Sequence, residues 1–126
     1  MYSVPSDKKV NGEYLRYGVE LEVLPKTSVA SKVAKYNCGK SLHNFALLKS
    51  DSSLGSAGFE IVTVPATLEF HRKVLWNDFF KTPFSDGLTA AKSVQSWDTG
   101  VCGIHVHLTR AALTEMQLSK LLVFYH

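Results

Sequence analysis

Hydrophobic and polar residues alternate with a period of two from Leu15 to Leu24. The apolar positions are Leu15, Tyr17, Val19, Leu21 and Val23, and the positions between them include Arg16, Gly18, Glu20 and Glu22. Successive side chains of a β-strand point to opposite faces of the sheet. The segment is therefore predicted to be a strand with one apolar face and one acidic face, which ends at Pro25. An acidic face of this kind is typical of a solvated strand as well as of a cation site.

The same alternation recurs from Val101 to Thr109. One set of positions is apolar and comprises Cys102, Ile104, Val106 and Leu108, and the other comprises Gly103, His105 and His107. We therefore predict a strand whose apolar face packs in the core and whose second face carries two imidazoles beside a glycine, which allows a ligand or backbone to come close. A histidine pair on a solvated sheet face is the simpler interpretation of the same pattern.

Two shorter apolar runs predict further strands, at Asn44–Asp51 and Phe59–Val64. The second run contains one carboxylate, Glu60, among apolar neighbours. Burying a charge is costly unless the group is paired, hydrogen-bonded or bound to a metal ion. Glu60 is therefore a candidate site residue, and a position at the rim of the strand or a salt bridge fits the pattern as well.

Three segments have helical patterns. A short helix is predicted from Thr27 or Ser28 to Asn37, with Val29, Val33 and Tyr36 on its packing side and Cys38 and Gly39 at its end. A longer helix is predicted from Thr67 to Phe80, with a wide apolar surface and with His71, Arg72 and Lys73 on its solvated side. A third helix is predicted to begin near Glu115, after a capping pattern at Thr114 and Gln117. The segment Lys81–Ser96 gives no clear element.

The bulk properties place these elements in one small domain. The chain has 126 residues, of which 45% are hydrophobic and 20% charged, values typical of a globular protein. We predict a flexible lead-in over residues 1–13, or an edge hairpin that turns at Asn11 and Gly12, and a single domain over 14–126. The two cysteines, Cys38 and Cys102, form neither a metal motif nor a disulfide framework.

The charge and hydropathy of the chain disfavour nucleic acid and membranes as partners. Lys and Arg number 14 against 11 Asp and Glu, a formal net charge of +3, and the basic residues are scattered. A nucleic-acid-binding protein usually has a basic stripe with interleaved aromatic residues, so this class is disfavoured. No segment has the pattern of a secretion signal or a membrane span, which predicts a cytoplasmic protein without a membrane partner.

The ionisable residues of the three patterned strands suggest a common chemistry. Carboxylate oxygens suit Mg²⁺ or Mn²⁺, and an added imidazole is compatible with sites that also hold a nucleotide phosphate. Zinc is disfavoured because no cysteine cluster supports it. Divalent ions on an acidic sheet face are what phosphoryl transfer requires, since they neutralise charge on the transferring phosphate oxygens.

Three segments in order carry a resemblance to a known family: Tyr17–Glu22, Lys49–Leu54 followed by Gly58–Pro65, and Cys102–His107. Together they resemble the amidoligase family, carboxylate–amine ligases similar to glutamine synthetase and glutamate–cysteine ligase. The resemblance covers roughly residues 15 to 125. It implies an α+β fold with a curved, mostly antiparallel sheet, flanking helices and a catalytic core like that of glutamine synthetase. It also implies a reaction in which ATP phosphorylates a carboxylate and an amine displaces the phosphate to form an amide.

The resemblance also implies roles for individual residues. Four would be ligands of Mg²⁺ or Mn²⁺: Glu20, Glu22, Glu60 and His105. His107 would contact a phosphate of ATP, and Lys49 would bind the nucleotide from the strand-and-turn motif that also contains Asp51. Ser52 stands where the family often has glycine, so the turn at this position is expected to differ.

The length of the chain departs from the family. Enzymes of this superfamily have later strands that contribute a further acidic ligand and arginines that hold the phosphates, whereas this sequence ends in the helix that follows its histidines. These groups are absent unless Arg110, Arg72 or Arg16 substitutes for them or a second chain supplies them. We therefore expect a small or partial amidoligase domain.

Two functions remain open from the sequence. The first is ATP- and metal-dependent ligation of a small-molecule or peptide carboxylate to an amine. The second is a non-catalytic, phage-type inhibitor or binding protein on a truncated amidoligase scaffold, acting on a host defence complex such as a CRISPR effector. The short length and the aromatic-rich segment from Trp76 to Phe84 favour the second. Partner binding in EDTA that does not depend on Glu22 or His105 would distinguish the two.

Overall fold

The computed structural model describes residues 9–10, 13–97 and 99–109. The strands are β1 (Lys9–Val10), β2 (Glu13–Tyr14), β3 (Tyr17–Pro25), β4 (Ala46–Ser50), β5 (Phe59–Thr63), β6 (Val94–Gln95) and β7 (Ile104–Leu108). The α-helices are α1 (Ser31–Leu42), α2 (Leu68–Phe70), α3 (Asn77–Lys81) and α4 (Ala90–Ser93). A 3₁₀ turn lies at Ser52–Leu54 and a π-helical turn at His71–Leu75. Among these residues no helix is long and apolar enough to cross a membrane.

The main sheet is built around β3. This nine-residue strand pairs along one edge with β5, which in turn pairs with β4. Along its other edge the first part of β3 pairs with β7 and its last residues pair with β6. Each of these pairings is antiparallel. The prediction of a small α+β domain with a mostly antiparallel sheet and flanking helices is confirmed.

The hydrophobic core lies between one face of this sheet and the helices. Ile61, the middle residue of β5, is fully buried and lies directly between Leu21 of β3 and Leu48 of β4. The principal core residues are Val23, Ala34, Cys38, Leu42, Phe59, Ile61, Phe70, Leu75, Phe79 and Val94. Because side chains alternate along each strand, burial of this face directs the acidic positions of β3 and β5 to the opposite face.

Helix α1 differs from its prediction in length and orientation. It runs from Ser31 to Leu42, and Ala30 at its N-cap makes no side-chain capping hydrogen bond. Its buried side includes Cys38 and Leu42, whereas Tyr36, predicted to pack, is exposed. Val33 is exposed as well, so the predicted packing side was wrong at these two positions, whereas Val29 packs against the core as predicted. Burial of Cys38 and Leu42 carries the helix past Gly39, because tertiary packing outweighs the helix-breaking preference of one glycine.

The segment Thr67–Phe80 is broken where one continuous helix was predicted. Thr67 caps it as expected, its Oγ1 accepting a hydrogen bond from the backbone N–H of Phe70 at 3.3 Å. The π-helical turn then buries His71, which was wrongly predicted to be solvated. His71 Nε2 lies 2.7 Å from the carbonyl oxygen of Tyr17, and Trp76 Nε1 donates to His71 Nδ1 at 3.1 Å. Both ring nitrogens have partners that fit a neutral imidazole, which explains how a histidine is accommodated here.

Strand β7 has the predicted alternation, but its apolar face is not covered as predicted. Ile104 is 61% exposed and Val106 is 54% exposed. Among the described strands it pairs with β3 alone, and its described contacts are chiefly with that strand. The apolar pattern therefore identified the strand correctly and its burial incorrectly.

The N-terminal strands and the segment before β7 are the remaining parts of the described fold. Strands β1 and β2 pair antiparallel, as the hairpin interpretation of this region requires. Residues 1–8 and the turn predicted at Asn11 and Gly12 lie outside the described residues, as do Arg110 and the helix predicted from Glu115. The segment Lys81–Ser96, for which the sequence predicted no clear element, contains α4 and β6. Strand β6 pairs with the last residues of β3.

Candidate active-site face

The strand register aligns charged residues in a row across the solvent-facing side of the sheet, which we name the acidic row. Lys49 of β4 lies opposite Glu60 of β5, and Glu60 lies opposite Glu22 of β3. The backbone N–H of Glu22 donates to the carbonyl oxygen of Gly103 at 3.0 Å, so the glycine continues the row. Residues directly opposite each other on antiparallel strands share a face and have neighbouring side chains. The acidic row comprises Lys49, Glu60, Glu22 and Gly103.

A second row runs parallel to the first and is displaced from it by two residues on each strand, toward the start of β3 and β4 and toward the end of β5 and β7. Leu47 lies opposite Val62, Val62 opposite Glu20, and Glu20 opposite His105. We name these four residues the histidine row. His107 lies opposite Gly18, two residues beyond His105 on the same face of β7. Residues from three separate parts of the sequence thus meet on one face of one sheet.

The carboxylate of Glu20 lies between the two imidazoles. Its Oε2 atom is 3.6 Å from Nδ1 of His105 and 3.4 Å from Nε2 of His107. Both separations exceed the usual 2.7–3.2 Å range of a nitrogen–oxygen hydrogen bond. The three groups are thus close to one another without forming short hydrogen bonds, and the two imidazoles are largely exposed to solvent. They can turn toward a shared ligand at little cost.

Gly103 makes room for the Glu22 carboxylate. A Cβ atom built on Gly103 would lie 3.3 Å from Oε1 of Glu22, a tighter contact than most real side chains make. At Gly18 the nearest atom to an added Cβ is the Cβ of His107, at an ordinary 3.9 Å. The sequence predicted that Gly103 permits a close approach, and the approaching group is a carboxylate of the acidic row.

Asp51 adds a carboxylate beside the acidic row and has a structural function there. Its Oδ1 atom accepts hydrogen bonds from the backbone N–H of Ser53 at 3.0 Å and from the Ser53 hydroxyl at 2.7 Å. These two bonds hold the pKa of Asp51 below its usual range, and the nearby Glu22 carboxyl lowers it slightly further. Asp51 therefore shapes the 3₁₀ turn that follows β4 and keeps a negative charge next to Glu22.

The basic candidates are placed less uniformly. Lys49 is exposed and takes part in none of the ion pairs formed within the described residues. Arg16 continues the alternation of Gly18 and Glu20 beyond the start of β3, and its backbone N–H donates to Oγ1 of Thr109 at 3.0 Å. Arg72 belongs to the π-helical turn, where it lines a cleft with Trp76 in the helical layer. The structure thus leaves Arg72 outside the acidic and histidine rows.

The donor set of this face fits a divalent cation. Three glutamates, two histidines and a neighbouring aspartate offer the oxygen and imidazole donors that Mg²⁺ or Mn²⁺ accept. In the part of the chain that the structure describes, no three such side chains are already arranged around a position that could hold a metal ion. Binding would require the exposed histidines or Glu20 to change rotamer, and the separations around Glu20 allow this.

Sequence reasoning missed two features of this face. It did not identify Leu47 and Val62 as neighbours of Glu20, because the register between strands is set by tertiary pairing and not by the pattern of one segment. It also placed Asp51 in a motif without its capping function, although Asp followed two residues later by Ser is a known turn signal. Comparisons with protein-family models, curated proteins and solved structures give no match to this chain.

Proposed function

We propose that this chain is an ATP- and divalent-cation-dependent carboxylate–amine ligase of the amidoligase type. One observation carries the proposal: Glu20, Glu22, Glu60, His105 and His107, which are distant in sequence, share one open face of the sheet. A sheet face that is charged only because it contacts solvent does not require carboxylates and imidazoles from separate strands to lie together. The resemblance of the same segments to the amidoligase motifs supplies the reaction.

Each residue has a proposed role. Glu20, Glu22, Glu60 and His105 would hold Mg²⁺ or Mn²⁺, which supplies neutralisation of phosphate charge when bound. His107, at the end of the face beside Gly18, would donate a hydrogen bond to a phosphate of ATP. The Lys49 ammonium, at the far end of the acidic row, would attract an anionic group of the nucleotide or substrate.

The proposed reaction conserves atoms in two steps. A carboxylate oxygen attacks the γ-phosphorus of ATP, the bond to the bridging oxygen breaks, and an acyl phosphate and ADP form. An amine nitrogen then attacks the acyl carbon, phosphate leaves with the electron pair of the broken carbon–oxygen bond, and the nitrogen loses a proton. The face contributes positioning and charge neutralisation, which are the main sources of catalysis in phosphoryl transfer.

Calorimetric titration of ATP with Mg²⁺, and then with EDTA, tests the proposal. The informative variant is Glu22→Gln, which keeps the shape of a side chain in the acidic row and removes its charge. Glu69→Gln is the matched control, because Glu69 is partly exposed and pairs with the exposed Lys73 on the helical layer. We expect ATP binding that requires Mg²⁺, falls at least tenfold in Glu22→Gln and is unchanged in Glu69→Gln. Equal binding in EDTA, or by both variants, would contradict the proposal.

One observation favours the second candidate, a non-catalytic binding protein. The exposed Ile104 and Val106 form an apolar surface at the sheet edge, and exposed apolar patches often mark protein interaction sites. This function predicts binding to a defence complex that survives EDTA and Glu22→Gln but is lost in Ile104→Asp. Retained binding in Ile104→Asp would count against it.

A further inference from the structure

The histidine row ends in two apolar side chains that lie on the solvent-facing side of the sheet. Leu47 is 67% exposed, and Val62 beside it is only partly buried. Both lie opposite each other in the register, and Val62 is the direct neighbour of Glu20. Val64, the next alternate position along the chain, is exposed too. We name Leu47, Val62 and Val64 the apolar strip.

A cation lies beside this strip. Lys49 follows Leu47 by two residues on the same face of β4, and neighbouring side chains on one face of a strand are about 6.8 Å apart along it. No ion pair formed by the described residues uses the Lys49 ammonium. Its cross-strand neighbour Glu60 belongs to the acidic row. The surface therefore places an available positive charge next to an apolar surface and beside the proposed metal-binding carboxylates.

We infer that this surface is the subsite for the carboxylate substrate, and that the substrate carries an aliphatic group next to its carboxylate. The carboxylate would bind at Lys49, and the aliphatic group would cover Leu47 and Val62. This inference rests on the proposed function for the fate of the carboxylate, but binding itself needs only the surface described above.

The apolar strip favours an aliphatic substrate group over a polar one. A substrate with a second carboxylate or an amide in place of the aliphatic group would bring a polar group against Leu47 and Val62, where no side chain of the strip can hydrogen-bond to it. Desolvating a polar group without a partner is unfavourable, whereas covering exposed leucine and valine is favourable. A site of this chemistry selects an aliphatic side chain over a polar one of similar size.

NMR titration of the isotope-labelled chain in Mg²⁺ provides the test. The probes are N-acetylleucine, which has the aliphatic group, and N-acetylglutamine, which has a polar group of similar size. We expect N-acetylleucine to shift the amide signals of β4 and β5 and to bind roughly tenfold more tightly than N-acetylglutamine, the discrimination expected of a small apolar site. Equal binding, tighter binding of N-acetylglutamine or no binding of either would overturn the inference.

Two variants and one control connect the binding to these residues. Leu47→Asn removes the aliphatic contact and Lys49→Gln removes the charge, and each is expected to weaken N-acetylleucine binding at least fivefold. Leu68→Asn alters another exposed leucine, which lies in the helical layer, and should leave binding unchanged. Unchanged binding in Leu47→Asn or an equal loss in Leu68→Asn would contradict the assignment.

The outcome is separable from that of the proposed function. If ATP binds with Mg²⁺ but N-acetylleucine does not bind, the ligase proposal stands and the subsite is wrong. If N-acetylleucine binds at β4 and β5 but ATP does not bind, the subsite stands and the ligase proposal fails.

Discussion

Replacing Gly103 with alanine should separate the proposed site from the stability of the fold. The added Cβ would lie 3.3 Å from Oε1 of Glu22, so this carboxylate must move by a few tenths of an ångström. The obstructing atom is the end of a flexible side chain, and Gly103 does not have a positive φ angle. Alanine at a compatible glycine position usually stabilises a protein by about 0.4–1 kcal/mol. The free energy of unfolding should therefore be unchanged or slightly higher.

The affinity of Gly103→Ala for ATP in the presence of Mg²⁺ should fall, although the stability of the fold does not. Mg²⁺ requires nearly ideal octahedral geometry, and the groups of a binding site must be held within about 0.5 Å of their productive positions, so a displacement of a few tenths of an ångström uses much of that tolerance. We expect the affinity for ATP in Mg²⁺ to fall about tenfold, which corresponds to ~1.4 kcal/mol. Gly18→Ala is the matched control, since its Cβ would make only an ordinary contact, 3.9 Å from the Cβ of His107.

Urea denaturation and calorimetric titration of the same three proteins measure both quantities. The reasoning predicts three proteins of similar stability, of which only Gly103→Ala binds ATP weakly. Wild-type affinity in Gly103→Ala would refute the assignment of Glu22 to the site. A loss of more than ~1 kcal/mol of stability in Gly103→Ala would refute the claim that the clash is confined to a flexible carboxylate.

Two further predictions concern the fold. Gly58→Ala should lower the free energy of unfolding by about 2–3 kcal/mol, because its Cβ would lie 2.4 Å from Leu54 Cβ and 2.8 Å from the Leu54 carbonyl oxygen; a urea midpoint near that of the wild type would show that the turn relaxes. Burial raises the pKa of the Cys38 thiol from 9.0 to about 12. The resulting stability is fully present below pH 9 and is lost as the pH rises toward 12, by up to about 1.4 kcal/mol per pH unit. Cys38→Ala should remove this part of the alkaline dependence in urea titrations at several pH values, and an identical slope in the variant would contradict it.

The strands and the acidic face could be predicted because they depend on local alternation. Glu20 and Glu60 stand between apolar residues in their segments, and burying those residues leaves the carboxylates no other face. The convergence of Glu20 with His105 and His107 was implied only by the resemblance. It depends on which edge of β3 receives β7, and such long-range pairing leaves no mark in either segment alone.

The errors in the helices have a different origin. Val33 and Tyr36 have a helical spacing, but the smaller Ala34 and Cys38 are the residues buried in the core, where close packing admits small side chains. His71 looked solvated beside two basic residues, yet the π-helical turn directs it to the carbonyl oxygen of Tyr17. A period of 3.6 residues cannot anticipate a local change of helical pitch.

Titration of Mn²⁺ into the isotope-labelled chain tests whether this face binds a divalent cation, because the paramagnetic ion broadens NMR signals only near its binding site. We expect selective broadening of amide signals in β3, β5 and β7 around Glu20, Glu22, Glu60 and His105, and not in α1. We also expect this broadening to disappear in the variant that combines Glu20→Gln with Glu22→Gln. Broadening that is absent, centred elsewhere or unchanged in that variant would contradict the claim that this face binds a divalent cation.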